Sequence, residues 1–316
     1  MKNQTLFLIL SLALILGSCN KSDEDVIDKE IPTNLKILWL GTSIPEGCSY
    51  PAYACQQIGA KCINNSKGAS FLAEYGVDDK GVNVAGYSLT ETIEEKEQKY
   101  RPLVNSHKLS ENQLNYFKEL SYESLVKPFI KDVDVVVIDH GYNDNISLFS
   151  LYDNRDKIED QDTIWSSTNK KTFIGAFNYL YKYIKESNPK AKVLLCGYFQ
   201  NTCTVGHGIR GRFVTNVLKD ISRHYHLPLI DDWNYTSIPD GYMPGSENYL
   251  DSINRVYGTT FTKWMPNELG QITFLQHFCP DTVHPFSDPT GKSDSILNQI
   301  VAKLLPIKIK EAFEEQ

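Results

Sequence analysis

A serine, an aspartate and a histidine in this chain have the residue types that activate a hydroxyl group for attack on a carbonyl carbon. Ser43 lies in the segment GTSIPEG, directly after the apolar run KILWLG. Asp281 precedes His284 by three residues, so its carboxylate can reach Nδ1 within one turn and leave Nε2 facing a hydroxyl. A serine hydroxyl is a poor nucleophile until an imidazole takes its proton. The three residues therefore predict acyl transfer, with Ser43 as nucleophile, His284 as base and Asp281 as the group that orients the base.

The segments between these residues predict the elements that position them. Short apolar runs alternate with amphipathic stretches, which is typical of a parallel sheet covered by helices on both faces. We therefore expect an α/β fold, a three-layer α/β/α sandwich with a central parallel sheet, whose strand ends form the site. Strands are predicted at 36–41, 61–64, 133–139, 192–198 and 227–231, helices at 51–58, 173–184, 213–225 and 289–313, and a glycine-rich loop at 205–211.

Two further segments follow predicted strands. HGYND, which holds Asn143 and Asp144, follows the run VDVVVID, and NNSKGAS, which holds Gly68, follows the strand at 61–64. Asp144 is expected to cap or brace its turn, and His140 is expected to pack in the core. Both segments lie where the first strand also ends, so they predict further groups of the same site.

In chain order, these segments resemble the motifs of the SGNH (GDSL-type) hydrolase superfamily over roughly residues 35–310. Thr42 stands where the family's GDS motif has an aspartate, and DTVH matches the family's DxxH. The resemblance implies a flavodoxin-like sheet and ester hydrolysis without a cofactor. It also implies an oxyanion hole formed by the amides of Ser43 and Gly68 and by the side chain of Asn143.

The substrate class is less constrained than the chemistry. Residues 232–280 are rich in tyrosine and tryptophan, which favours stacking on a sugar ring, with packing inside a loop as the alternative. We expect acylated, above all acetylated, carbohydrates as substrates. A lipase, lysophospholipase or thioesterase of the same superfamily is the alternative among enzymes. A catalytically inactive carbohydrate-binding lipoprotein is the alternative among binding proteins.

The N-terminal residues have the composition of an export signal and a tether. Lys2 and the apolar run at 6–16 predict a signal peptide over 1–18, and the run is too short to span a membrane. It ends in LGSC, which resembles the lipobox of bacterial lipoproteins and implies acylation of Cys19; cleavage of an ordinary signal peptide near Gly17 is the alternative. An acidic tether is predicted over 19–34 and the hydrolase domain over 35–316. We therefore expect a membrane-anchored protein of the bacterial cell envelope, facing the periplasm or the cell surface.

Charge and cysteine spacing exclude other classes of function. The formal net charge of −7 and the absence of a Lys/Arg-rich run argue against a nucleic-acid partner. The six cysteines other than Cys19 permit disulfides, and we expect at least one bridge, but their pairing stays open. The sequence has no CxxC segment and no HxxxH pair, so no metal site is expected. The oligomeric state is not predicted.

Overall fold

The computed structural model describes residues 31–74, 86–144, 165–197, 205–231, 265–266, 272–273 and 291–314, and a parallel sheet lies at its centre. The strands are β1 (Lys36–Gly41), β2 (Lys61–Asn64), β3 (Val135–Asp139), β4 (Lys192–Cys196) and β5 (Leu229–Ile230). They lie in the order β2-β1-β3-β4-β5, and every neighbouring pair is parallel. This order reverses direction between β1 and β3, which is the position where sheets of this kind bind ligands.

The sheet is flanked by helices that follow its strands. The described helices are α1 (Ser43–Gly47), α2 (Tyr50–Gln57), α3 (Ile93–Asn105), α4 (Glu111–Glu119), α5 (Tyr122–Leu125), α6 (Phe173–Ser187), α7 (Val205–Tyr225) and α8 (Lys292–Glu314), with a 3₁₀ turn at Ile130–Asp132. None of the helices in these parts of the chain is long and apolar enough to cross a membrane.

Each face of the sheet carries its own apolar core, because successive strand residues point to opposite faces. On one face, Ile37 and Trp39 of β1 pack with α2 and α8. On the other face, Leu38 and Leu40 pack with α6 and α7. The predicted three-layer α/β/α sandwich with a central parallel sheet is therefore confirmed.

Several helix boundaries differ from the predictions. The prediction of a loop at 205–211 is wrong, because α7 already begins at Val205. Once a helix is nucleated, each added residue gains one hydrogen bond, so α7 extends through glycines ahead of the part that packs on the sheet. The helices α3 and α4 were not predicted. Each begins with a capping box, formed by Thr92 with Glu95 and by Ser110 with Gln113.

The remaining described elements are short. Within the aromatic-rich stretch, β6 (Met265–Pro266) and β7 (Ile272–Thr273) pair in antiparallel fashion. Residues Ile31–Gln316 make up one compact unit. The predicted signal peptide lies outside the described residues, as do all but the last four residues of the predicted tether.

Candidate active site

The candidate site lies where β1 passes into α1. Gly41 ends β1 and pairs in register with Asp139 of β3. A Cβ on Gly41 would lie 2.3 Å from Cγ of Pro45 and 3.0 Å from the carbonyl oxygen of Asp139, so the chain can turn this tightly only at a glycine. Ser43 is the first residue of α1 and is half-buried. The turn therefore places Ser43 at the carboxyl end of the sheet, beside the reversal of strand order.

Gly68 lies next to Ser43, in the loop that leaves β2. A Cβ placed on Gly68 would lie 3.7 Å from Cβ of Ser43. The loop is fixed over the end of β1, because the amide of Lys67 and the hydroxyl of Ser70 both donate to the carbonyl of Gly41, at 2.9 and 3.0 Å. The backbone of this loop and Ser43 therefore share one small region.

The amide of Gly68 already has a partner. It donates a hydrogen bond of 2.6 Å to Oε2 of Glu46, whose other carboxylate oxygen lies 3.9 Å from Nζ of Lys67. On the far side of the loop, the hydroxyl of Tyr116 donates to the carbonyl of Gly68 at 3.3 Å. The N–H that the resemblance assigns to an oxyanion is thus bound to a carboxylate in this structure.

Asn143 reaches the same loop from β3. Its Nδ2 donates to the carbonyl of Ser70 at 3.0 Å. An amide nitrogen carries two hydrogens, so this bond fixes the side chain and leaves a second N–H for another acceptor. Ser43, Gly68 and Asn143 therefore follow three adjacent strands, β1, β2 and β3, and lie at one end of the sheet.

Asp144 fixes the loop more firmly. Its side chain is fully buried and accepts hydrogen bonds from the amides of Leu72, at 3.0 and 3.1 Å, and Ala73, at 2.9 Å. The turn before it requires a glycine, because Gly141 has φ of +124° and a Cβ there would lie 2.8 Å from Cγ1 of Val214. These bonds show that Asp144 braces the loop at residues 72 and 73; that it also caps or braces its own turn stays a prediction.

Beneath the site is a polar cluster that the sequence did not reveal. Oδ2 of Asp139 accepts hydrogen bonds from the hydroxyl of Tyr50 at 2.5 Å and from Nε1 of Trp39 at 3.0 Å. Burial raises the pKa of Asp139 to about 6, although these donors act in the opposite direction. The donors are 89 and 100 residues away in sequence, so no local pattern could have predicted the cluster.

His140 belongs to the core, as predicted. It is 4% exposed, and burial lowers its pKa to about 3, so the imidazole is neutral at physiological pH. Within the described residues, Nδ1 has no hydrogen-bond partner. A histidine with so low a pKa is a poor general base near neutral pH.

The other predicted site residues, Asp281, His284 and Cys19, lie outside the described residues. The helix that follows the DTVH segment is described, however, and its first turn is tied to the region of Ser43. Asp294 of α8 accepts from the amide of Ser49 at 2.9 Å and from its hydroxyl at 2.5 Å. The parts of the chain that the structure describes contain no group of three or more His, Cys, Asp or Glu residues that could hold a metal ion.

No protein-family model matches this chain, and no curated protein matches it either. Among solved structures, it is similar to a possible lipase from Chitinophaga pinensis, with a TM-score of 0.45 and 14% identity over 88% of this chain and 98% of that one. It is also similar to a catalytic mutant of an acetylxylan esterase from Geobacillus stearothermophilus, with a TM-score of 0.44 and 14% identity over 89% and 96% of the two chains. It is similar as well to a protein from Lactobacillus plantarum, with a TM-score of 0.43 and 12% identity over 88% of this chain and 98% of that one. Likenesses at this level assign neither a family nor an activity to the chain.

Proposed function

We propose that this chain is a serine ester hydrolase, with Ser43 as nucleophile, His284 as general base and Asp281 as the residue that orients the base. The observation that carries the proposal is the position of Ser43. It begins a helix directly after a central strand, next to the loop amide of Gly68 and one strand away from Asn143. This arrangement offers a nucleophile and N–H donors at one end of a parallel sheet, as acyl transfer requires.

The bonds between α8 and Ser49, the residue before α2, support the assignment of the base. His284 precedes Asp294 by ten residues, and Asp294 is bonded to Ser49, six residues after Ser43. Because ten residues span at most roughly 35 Å, the chain between them can bring the imidazole back to Ser43. This reach is compatible with the proposed role of His284.

In the proposed reaction, Oγ of Ser43 bonds to the ester carbonyl carbon while its proton passes to Nε2 of His284. The carbon–oxygen bond to the leaving alcohol then breaks, and the alcohol takes the proton from His284. A water molecule attacks the acyl-enzyme by the same route and releases the carboxylic acid and the serine hydroxyl. Asp281 stabilises the imidazolium that forms in each half of the cycle.

The negative charge that develops on the carbonyl oxygen needs N–H donors fixed in advance. We assign these to the amides of Ser43 and Gly68 and to Nδ2 of Asn143. The bond that Asn143 donates to the carbonyl of Ser70 and the bond that Asp144 accepts from the amide of Leu72 fix the geometry of the loop before the substrate arrives. The carboxylate of Glu46 has to leave the amide of Gly68 before that amide can donate to the oxyanion.

Turnover of p-nitrophenyl acetate by the purified protein tests the proposal. Ser43→Ala should lose at least about a thousandfold in kcat, because residual catalysis would come from binding and the oxyanion donors alone. Ser106→Ala, at an exposed helix end far along the chain, is the matched control and should retain full activity. Equal rates for the wild type and Ser43→Ala would overturn the proposal.

For the substrate, we propose acetylated carbohydrates outside the cytoplasm. The aromatic-rich stretch at 232–280 supports this assignment, since aromatic rings stack on sugar rings. A deacetylase should hydrolyse acetate esters faster than butyrate or octanoate esters, whereas a lipase or thioesterase should show the reverse order. An inactive binding protein should hydrolyse none of them.

We also propose that acylation of Cys19 anchors the protein in the cell envelope. The support is the order of residues 1–19, in which a charged start and an apolar run lead to LGSC. Acyl chains add about 0.8 kcal/mol per buried CH₂, so a multiply acylated cysteine holds a protein stably at a membrane.

A further inference from the structure

Cys55 and Cys62 lie on either side of a tight turn. Cys55 is in the last turn of α2, and Cys62 is the second residue of β2. The carbonyl of Cys55 accepts from the amides of Ile58 at 3.2 Å and Ala60 at 2.9 Å, which ends the helix and reverses the chain. Gly59 makes the reversal with φ of +67°. The turn therefore returns β2 alongside the end of the helix that precedes it.

The side chains of Cys55 and Cys62 lie on the same side of the sheet, in the core between the sheet and the helices α2 and α8. Cys62 pairs in register with Ile37 of β1, so the two residues share a face. Ile37 and Cys55 are fully buried members of the core between the sheet, α2 and α8, and Cys62 packs against that core. The strand register and the helix position thus agree in placing both side chains in one core, at the end of α2 and the start of β2.

The two thiols influence each other's titration. The neighbouring thiol of Cys55 lowers the pKa of Cys62, although partial burial acts against it. The neighbouring sulfur of Cys62, together with burial, raises the pKa of Cys55 well above its usual value. Cys62 is also the more exposed of the two. The pair therefore consists of a reactive, accessible thiol and a buried thiol next to it.

We propose that Cys55 and Cys62 are a redox-active pair that forms a disulfide when the protein meets a small disulfide or an oxidised protein dithiol. The thiolate of Cys62 attacks one sulfur of the oxidant, forms a mixed disulfide and releases one thiolate. The sulfur of Cys55, after losing its proton to solvent, attacks the Cys62 sulfur and releases the second thiolate. Two thiols of the protein are oxidised to one disulfide, and one disulfide of the oxidant is reduced to two thiols.

The bond would join the two elements that lead to the candidate site. The helix α2 follows α1, which begins with Ser43, and β2 leads into the loop that carries Gly68. Nδ2 of Asn64, the last residue of β2, already donates to the carbonyl of Pro45 in α1 at 2.6 Å. A disulfide would add a covalent link to this contact and resist separation of β2 from the sheet. The inference concerns the thiols and does not depend on the proposed hydrolase activity.

Peptide mapping of the full chain tests the proposal, because trypsin cleaves after Lys61, between the two cysteines. After incubation with oxidised glutathione and alkylation, residues 37–61 should be linked to residues 62–67, and the link should disappear after reduction. The larger peptide also contains Cys48, so Cys48→Ser should retain the link and Cys55→Ser should lose it. Unlinked peptides under oxidation, or a link that survives in Cys55→Ser, would overturn the proposal.

Thermal unfolding gives an independent readout. Closing this short loop should raise the Tm of the oxidised protein by roughly 5 °C over that of the reduced protein. Cys62→Ser should show the same Tm in both conditions. A shift of the same size in Cys62→Ser would assign the stabilisation to other cysteines and contradict the proposal.

Discussion

The amide of Gly68 and the carboxylate of Glu46 are joined by a hydrogen bond of 2.6 Å, next to the serine proposed as nucleophile. The side chain of Glu46 is 41% exposed, so it can turn into solvent without disturbing the core. Because a carboxylate and an oxyanion require the same donor, the resting structure holds Gly68 in a competing contact. Substrate binding then has to displace Glu46 before the proposed oxyanion hole is complete.

Removal of this carboxylate should increase activity. Glu46→Ala is expected to raise kcat/KM for p-nitrophenyl acetate about three- to tenfold, since an exposed charged hydrogen bond of about 1 kcal/mol no longer has to be broken. Glu46→Gln keeps a weaker acceptor, so its kcat/KM should lie between those of the wild type and Glu46→Ala. Glu186→Ala is the control. It removes a 66% exposed carboxylate from α6 and should leave kcat/KM unchanged. A large fall in Glu46→Ala would instead assign Glu46 a role in holding the loop.

Asn143 should contribute to kcat more than to stability. Asn143→Ala is expected to lower kcat about 100- to 1,000-fold, because one oxyanion donor is lost. Asn188→Ala removes two side-chain hydrogen bonds to carbonyls, of 2.8 and 2.9 Å, in another part of the chain. It should lower the free energy of unfolding but leave kcat of the remaining folded protein unchanged. Equal kcat values for the two variants would contradict the assignment of Asn143.

Asp144 should be important for stability. Asp144→Ala leaves the buried amides of Leu72 and Ala73 without the carboxylate, so the free energy of unfolding should fall by about 3 kcal/mol. Urea unfolding measures the loss. Glu186→Ala removes an exposed carboxylate paired with Lys182 and should cost less than about 0.5 kcal/mol. Similar losses in both variants would show that the buried hydrogen bonds contribute little.

Asp139 should make the stability depend on pH. Its pKa of about 6 in the folded protein lies above the value of about 3.9 for an unfolded chain, so the folded state binds this proton more tightly. The resulting stabilisation is fully present only well below pH 4 and is lost as the pH rises through 6. Between pH 4 and 7, the wild type should therefore lose about 2 kcal/mol relative to Asp139→Asn.

Urea unfolding at constant ionic strength between pH 4 and 7 measures this difference. Asp132→Asn, at an exposed position before β3, serves as the control and should follow the wild type at every pH. Parallel pH profiles for the wild type and Asp139→Asn would show that Asp139 titrates normally.

The proposed anchor depends on one cysteine. In a bacterial host that processes lipoproteins, the wild type should partition into the detergent phase of Triton X-114, and Cys19→Ala should partition into the aqueous phase, since it cannot be acylated. Cys48→Ser, which removes a buried thiol of the folded domain, should partition like the wild type. A wild-type protein recovered from the aqueous phase would exclude lipid attachment.

The sheet could be predicted from sequence because buried parallel strands have a strong local signal. The predicted bounds of β1 and β2 match the structure, since apolar runs there end at a glycine and an asparagine. The helices α3 and α4 were missed, because their composition is largely polar. Their capping boxes, TIEE and SENQ, were present in the sequence and could have revealed both starts.

The candidate site also has parts that local sequence patterns predict and parts that they do not. The strand ends that carry Ser43, Gly68 and Asn143 follow from the pattern of apolar runs and from the resemblance. The contact between Glu46 and Gly68 was not predicted, because it joins α1 to the loop after β2 across 22 residues through an exposed side chain. The roles of Asp281 and His284 stay predictions.

The outermost position of β2 has a consequence for how activity is lost. This strand has four residues, each exposed or half-exposed, and a partner strand on one side, so it should detach at a lower free energy than the inner strands. Detachment would move Gly68 away from Ser43 while the rest of the sheet stays folded. Mild denaturant should therefore abolish turnover before circular dichroism registers a loss of helix.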